Sequence, residues 1–146
     1  MGDNIQEEGI DKSNIRFYKA FESLSLESME EVWKHSDDVV CVHPGWDLFT
    51  GWMSIRESWA TIFRETERIQ FHITNTKIRA LENMAIVICL ENIKTIENEN
   101  KIRMGVVATN IFERQPTQKE SGWLMIHHHG SAMSNYMLPN TTNHDN

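Results

Sequence analysis

The sequence predicts an α+β fold, with helices in the first half and a mostly antiparallel sheet in the second. Two observations carry this: the hydrophobic period changes once, near Thr66, from helical to alternating, and the segments after it are long and joined by turn-like stretches. With 146 residues, 40% hydrophobic and 24% charged, the chain reads as one domain able to bury its own core.

The elements follow in order. Residues 1–10 and the tail from Pro139 (PNTTNHDN) are polar and read as flexible ends, leaving a domain over 11–136. From Ser13 to Leu24, Phe17, Tyr18, Phe21 and Leu24 recur at helical spacing. Ser25 can cap a second helix, in which Leu26, Met29, Val32 and Trp33 form one stripe. DDVVCVHPG reads as a short β-branched strand stopped by Pro44 and Gly45. A third helix starts near Ser54, with Ile55, Trp59, Ile62 and Phe63 on one face. Ile69 to Leu81, Met84 to Ile96, Ile102 to Arg114 and Trp123 to Ser131 are then β segments, separated by LEN, ENEN and RQPTQKESG. ENEN is the clearest hairpin signal. Long strands in sequence order predict an antiparallel meander, curved because strands of this length do not stay flat.

Charge and composition exclude several function classes. Basic residues number 14 and acidic ones 21, for a net charge of −7, which argues against nucleic acid as a partner. No apolar run approaches the roughly 18 residues of a membrane span. MGDNIQEEG lacks a basic region followed by an apolar one, and Gln6 stands where a myristoylation signal has Ser or Thr. A soluble, cytoplasmic protein is the expectation. Cys41 and Cys89 lie in apolar runs without CxxC spacing, so buried free thiols are expected ahead of a disulfide.

The run GWLMIHHHGS poses the question of function. Strand alternation puts Trp123, Met125, His127 and His129 on one face, and Leu124, Ile126 and His128 on the other. Three consecutive strand residues cannot converge on one ion, and His43, His127, His129 and Glu91 form no compact ligand motif, so no metal or cofactor is expected. Between Ile102 and Arg114, Asn110 is the polar member of a face made of Ile102, Met104, Val106, Ala108 and Phe112. The opposite face, with Val107, Thr109 and Ile111, is half apolar, which predicts cover by a second subunit and hence a homodimer. Glu91 stands in MAIVICLENIKTI without a basic neighbour, so it is either solvated or buried with a partner. Trp46, Trp59 and Phe63 lie near His43 in order and serve either as core or as ligand contacts.

The stretches FYKAFESLSLESMEEVWKHSDDVVCVHPGWDLFTGWMSIRESWATIF, VVATNIFER and GWLMIHHHGS together resemble the nuclear transport factor 2-like superfamily, in its SnoaL-like branch. Trp123, Ile126, His127, His129 and Ser131 are also similar to the W-x-x-V-H-x-H-x-S ending of kinase association (hub) domains. The resemblance spans Ser13 to Ser134 and implies a cone: a strongly curved sheet wrapped around three helices, with an internal pocket and usually a dimer. Such folds host isomerases, cyclases, dehydratases, hydrolases and modules without chemistry, so no single reaction follows. The isomerases' Tyr and Asp pair has no recognisable match here. Glu91 and Asn110 stand where hub domains carry pocket arginines, which implies a neutral or cationic ligand. Two readings remain open. One is a small-molecule-binding dimer; the other is a cofactor-independent acid–base enzyme in which Glu91 orients His127 or His129 while His43, Trp46, Trp59, Phe63 and Asn110 contact the ligand.

Overall fold

The computed structural model describes residues 2–116 and 122–134, with side chains from Ile5 onward; the tail from Pro139 lies outside them. Helices α1 (Gly2–Ser23) and α2 (Leu26–Val32) precede the short strands β1 (Val40–Val42) and β2 (Phe49–Thr50). Helix α3 (Trp52–Glu65) then leads into β3 (Arg68–Ala80), β4 (Met84–Glu97), β5 (Asn100–Arg114) and β6 (Trp123–Ala132). All six strands form one mixed sheet in the order β2-β1-β6-β5-β4-β3. The long strands pair antiparallel in sequence order, while β1 runs parallel to β6.

The expected α+β class and the four long strands are present, and two elements differ from expectation. Helix α1 begins at Gly2 rather than Ser13. Its added turns contain no proline, place Glu7 and Glu8 toward the positive helix end, and bury Ile10 completely. Strand β2 is new: two residues are too few to show a period, and only pairing with β1 defines them. Elsewhere local chemistry accounts for the elements. Ser25 Oγ accepts from the Ser28 amide at 3.1 Å and caps α2. In ENEN, Asn98 and Glu99 take φ of 51° and 67°, the left-handed pair that a two-residue hairpin requires.

Helices pack on the concave side of the sheet. Phe17 and Phe21 of α1, Trp59 of α3 and Phe71 of β3 meet there, with Phe21 ring centroids 4.8 Å from Trp59 and 4.7 Å from Phe71. Such tilted and edge-on contacts add to the burial of apolar area that holds the layers together. Among the described residues no helix is long and apolar enough to cross a membrane. Cys41 and Cys89 are both buried and unpaired.

The simple alternation expected along β6 does not hold. Ile111 pairs with His127 but Phe112 pairs with Met125, so Ile126 is an extra residue: a β-bulge. Trp123 and Met125 point inward; beyond the bulge the inward residues are His128 and Gly130, and His127 and His129 turn to the outer face. A bulge of one residue reverses every side chain that follows.

Gly130 is inward because a backbone must pass close. A Cβ there would lie 2.9 Å from Val106 Cγ1 and 3.1 Å from Pro44 Cγ. Val and Pro are stiff neighbours, so Gly130→Ala should lower stability by about 1–3 kcal/mol in urea unfolding. An unchanged midpoint would show that the β1–β6 contact relaxes freely.

Candidate functional site

A chain of buried polar groups crosses the interface between α1 and the sheet. Asn14 and Tyr18 stand four positions apart on α1 and so share a face, while Glu91 on β4 and Asn110 on β5 face inward toward them. The Tyr18 hydroxyl donates to Glu91 Oε2 at 2.5 Å and accepts from Asn110 Nδ2 at 3.1 Å. Asn110 Nδ2 also donates to Asn14 Oδ1 at 2.9 Å. With the amide nitrogen committed toward α1, Asn110 Oδ1 faces His128 Nδ1 at 2.6 Å and must accept. His128 is therefore the Nδ1–H tautomer, with Nε2 as an acceptor.

A second buried histidine sits beside this chain. Ser58 Oγ donates its proton to the Ile55 carbonyl at 2.6 Å, so His43 Nε2, 2.9 Å from the same oxygen, is the donor there. The His43 and His128 rings lie 6.3 Å apart, both against Trp59. The Trp59 indole nitrogen is buried and has no hydrogen-bond partner among the described residues.

Burial sets the protonation states. It pushes Glu91 up from 4.5 to about 7, against the opposing hydrogen bond from Tyr18. The Tyr18 phenol is held well above its ordinary 10.0, first by burial and then by Glu91 and Cys89. Burial pushes His43 down to about 4. His128 falls well below 6.5, through burial and then through His43, His127 and His129. Near neutral pH both buried imidazoles are uncharged, and Glu91 is poised between its two forms.

The residues singled out from sequence divide into three groups. Glu91 and Asn110 face the interior and join one network, through Tyr18 rather than directly. His43, Trp59 and Phe63 belong to the aromatic core, with Trp46 more exposed beside His43. His127 and His129 lie on the outer face, so they are not the partners of Glu91; the bulge at Ile126 removes them. Sequence reasoning missed Asn14, Tyr18 and His128. Gly130 was the available signal: counting parity back from the position where a backbone comes close puts His128 inward.

A cleft of about 270 Å³ opens over this network between α1 and β3. Asn14 and Tyr18 line it, together with Ile15, Phe71 and Ile73 and the charged Asp11, Lys19 and Glu22. Glu22 is anchored by the Phe71 amide, which donates to its Oε2 at 2.8 Å. The arrangement can receive a small molecule against the phenol and exchange a proton between phenol and carboxyl.

Because the Glu91 carboxyl titrates higher in the fold than its ordinary 4.5, its protonated form stabilises the protein fully below pH 4.5. That contribution is lost as pH rises through about 7, and the shift corresponds to about 3 kcal/mol. His43 and His128 act in the opposite sense, destabilising as pH falls below 6.5. Glu91→Gln isolates the carboxyl: its stability relative to wild type should rise from near zero at about pH 4 toward about 3 kcal/mol above about pH 8. A pH-independent difference in denaturant titrations would exclude a titrating Glu91. The proton NMR titration of His127, which faces away from Glu91, should be the same in both proteins.

A family model for the SnoaL-like domain matches residues 10–135. F-box protein SKIP8 of Arabidopsis thaliana is 29% identical over 121 residues, covering 82% of this chain and 48% of that protein. The chain thus spans about half the length of this curated relative. Among solved structures, an NTF2-like family protein from Streptomyces avermitilis, provisionally assigned as a dehydratase, superposes with a TM-score of 0.80 at 30% identity, covering 89% of this chain and 97% of that one. A provisionally assigned calcium/calmodulin-dependent protein kinase type II association domain from Thiobacillus denitrificans gives 0.73 at 29% identity, covering 85% and 94%. The matched span runs from the buried Ile10 past the end of β6, and the chain belongs to the SnoaL-like domain family of the NTF2-like superfamily.

Proposed function

We propose that this SnoaL-like domain binds a small neutral or cationic molecule in the cleft between α1 and β3 and pairs with a second copy through the outer face of its sheet. The observation that carries the first half is the cleft itself, with a phenol and an amide on its apolar wall and a buried carboxyl behind the phenol. Asp11 and Glu22 at its edge favour a cation over an anion, with Lys19 as the opposing charge. Ile15, Phe71 and Ile73 suit an apolar body. The domain would work in the cytoplasm, a reading supported by two buried thiols left unpaired.

Pairing is supported by the outer face of β4 and β5, where Ile86 stands opposite Ile111, Ile88 opposite Thr109 and Leu90 opposite Val107. Ile88 and Val107 are 43% and 45% exposed, on the side of the sheet away from the helices. His127 and His129 border this surface, beside Ile111 and Thr109, rather than the cleft. Sedimentation at micromolar protein should give twice the 17.1 kDa chain mass, and Val107→Glu should give the single mass. A monomeric wild type removes the pairing.

A second reading, acid–base turnover without a cofactor, is favoured by the Glu91 carboxyl at about 7. Tyr18 would then present a proton to the ligand and Glu91 would replace it. A thermal-shift screen of small amines and alcohols with apolar bodies tests both readings. Hits should lose roughly tenfold in affinity in Tyr18→Phe, from one lost hydrogen bond in a buried setting. Hits that bind Tyr18→Phe unchanged would place the ligand elsewhere, and hits bound but never converted leave the binding module.

A further inference from the structure

The outer face of the sheet repeats one pattern in two adjacent rows. Arg79, Ile86, Ile111 and His127 stand side by side across β3, β4, β5 and β6, and Lys77, Ile88, Thr109 and His129 form the next row. Each row runs from a basic residue, through the surface assigned above to self-association, to an imidazole. Val40 and Val42 of β1 lie beyond the histidines. His127 is half-buried and His129 exposed.

Two-fold symmetry limits what these histidines can meet. In an aligned stack of two sheets, an axis along the strands lays β6 on β3 of the second copy, and an axis across the strands lays β6 on β6. The first arrangement sets the imidazoles against Arg79 and Lys77 of the other copy, and the second sets them against its imidazoles. Either way a protonated histidine loses water and gains a positive neighbour, whereas a neutral one keeps the contact open.

We propose that His127 and His129 make self-association pH-dependent, allowing two copies to pair while uncharged and separating them once protonated. The inference rests on the pairing proposed above and concerns the regulation of that surface. Imidazole is the side chain that changes charge in this range. Burial, and then His129, hold His127 below its ordinary 6.5, so it is uncharged near neutral pH. Pairing buries it further, so the separate copies bind protons more readily and acid favours them.

The surrounding charges do not cancel this effect. Glu113, beyond Ile111 on β5, is held by Lys34 at 2.7 Å, and Asp38, ahead of Val40, accepts from Ser36 Oγ at 2.7 Å. His128, on the inner side of β6, is buried and uncharged, and His72 lies further along the outer face, beside Asn92. Total charge acts in the opposite sense. It is −7 at pH 7 with a sequence pI of about 5.4, so acidification alone would relieve repulsion between copies and strengthen pairing. Weaker pairing in acid therefore reports the local histidines.

Sedimentation of the full chain at about pH 7.5 and about pH 5.5, at one salt concentration, tests this, with circular dichroism following the fold. The dissociation constant of the wild-type dimer should rise roughly tenfold between the two. His127→Gln with His129→Gln should pair at about pH 7.5 and weaken no further in acid. Should that variant lose its folded spectrum, His129→Gln alone, on an exposed position, should reduce the pH dependence. A dimer equally tight at both pH values, or one whose weakening survives in the variants, overturns the inference and leaves the pairing standing. A wild type that is monomeric at about pH 7.5 removes both.

Discussion

The hydrogen bond from Tyr18 to Glu91 is the constraint around which the interior is arranged. A carboxyl inside an apolar shell, with no cation beside it, needs either a proton or strong donors. Helix α1 brings the donor, and doing so fixes the rotation of the helix: Asn14 and Tyr18 toward β4 and β5, Phe17 and Phe21 toward Trp59. The rest follows by exclusion. Tyr18 and Asn14 take the hydrogens of Asn110, so the Asn110 oxygen is left for His128, and that selects the imidazole tautomer. A contact between a helix and a sheet thus sets the protonation of a histidine two strands away from Glu91.

How much of this was legible in the sequence depends on the length over which a signal accumulates. The long strands and their hairpin turn were readable because alternation repeats many times within each and ENEN supplies the left-handed residues of the turn. Alternation put Asn110 on one face with Val106, Ala108 and Phe112, all buried, but left Glu91 open between solvent and a buried partner, and the structure buries it. His127 and His129 were misplaced by one residue of bulge, which leaves no periodic trace and inverts everything after it. Tyr18 was legible as a core residue of a helix but not as the partner of Glu91, because no local pattern relates a helix phase to a strand many residues later. The early start of α1 was hidden by polarity: its first turns, with Gly2, Asp3, Asn4 and Gly9 among them, have neither strong helix propensity nor an apolar stripe, and their anchor is the tertiary burial of Ile10.

The sheet separates its two faces by kind of charge chemistry. Inside, Asn14, Tyr18, Glu91, Asn110 and His128 are neutral or near neutral and hydrogen-bonded in one chain, which rigidifies a core, while the Trp33 and Trp59 indole nitrogens have no partner among the described residues. Outside, the centre of β4 and β5 is apolar and their far end is basic. The bulge contributes to both faces at once: it brings His128 in to close the network and puts His127 and His129 out beside the apolar centre.

The network also limits what the cleft can recognise. The Tyr18 oxygen gives its hydrogen to Glu91 and accepts from Asn110 at 3.1 Å and, that hydrogen being committed, from the Cys89 thiol at 3.4 Å. A molecule that reaches this phenol while the Glu91 bond stands finds no hydrogen there for a bare carbonyl, and a hydroxyl or amine must displace the weak Cys89 thiol to be accepted. A carbonyl ligand would require the phenol to turn away from Glu91, leaving a buried carboxyl without its donor and driving it to take a proton. Recognition of a donor and protonation of Glu91 are in this way alternatives of one hydrogen bond, and it is that switch, more than the histidines the sequence displays, that gives the interior its capacity for chemistry.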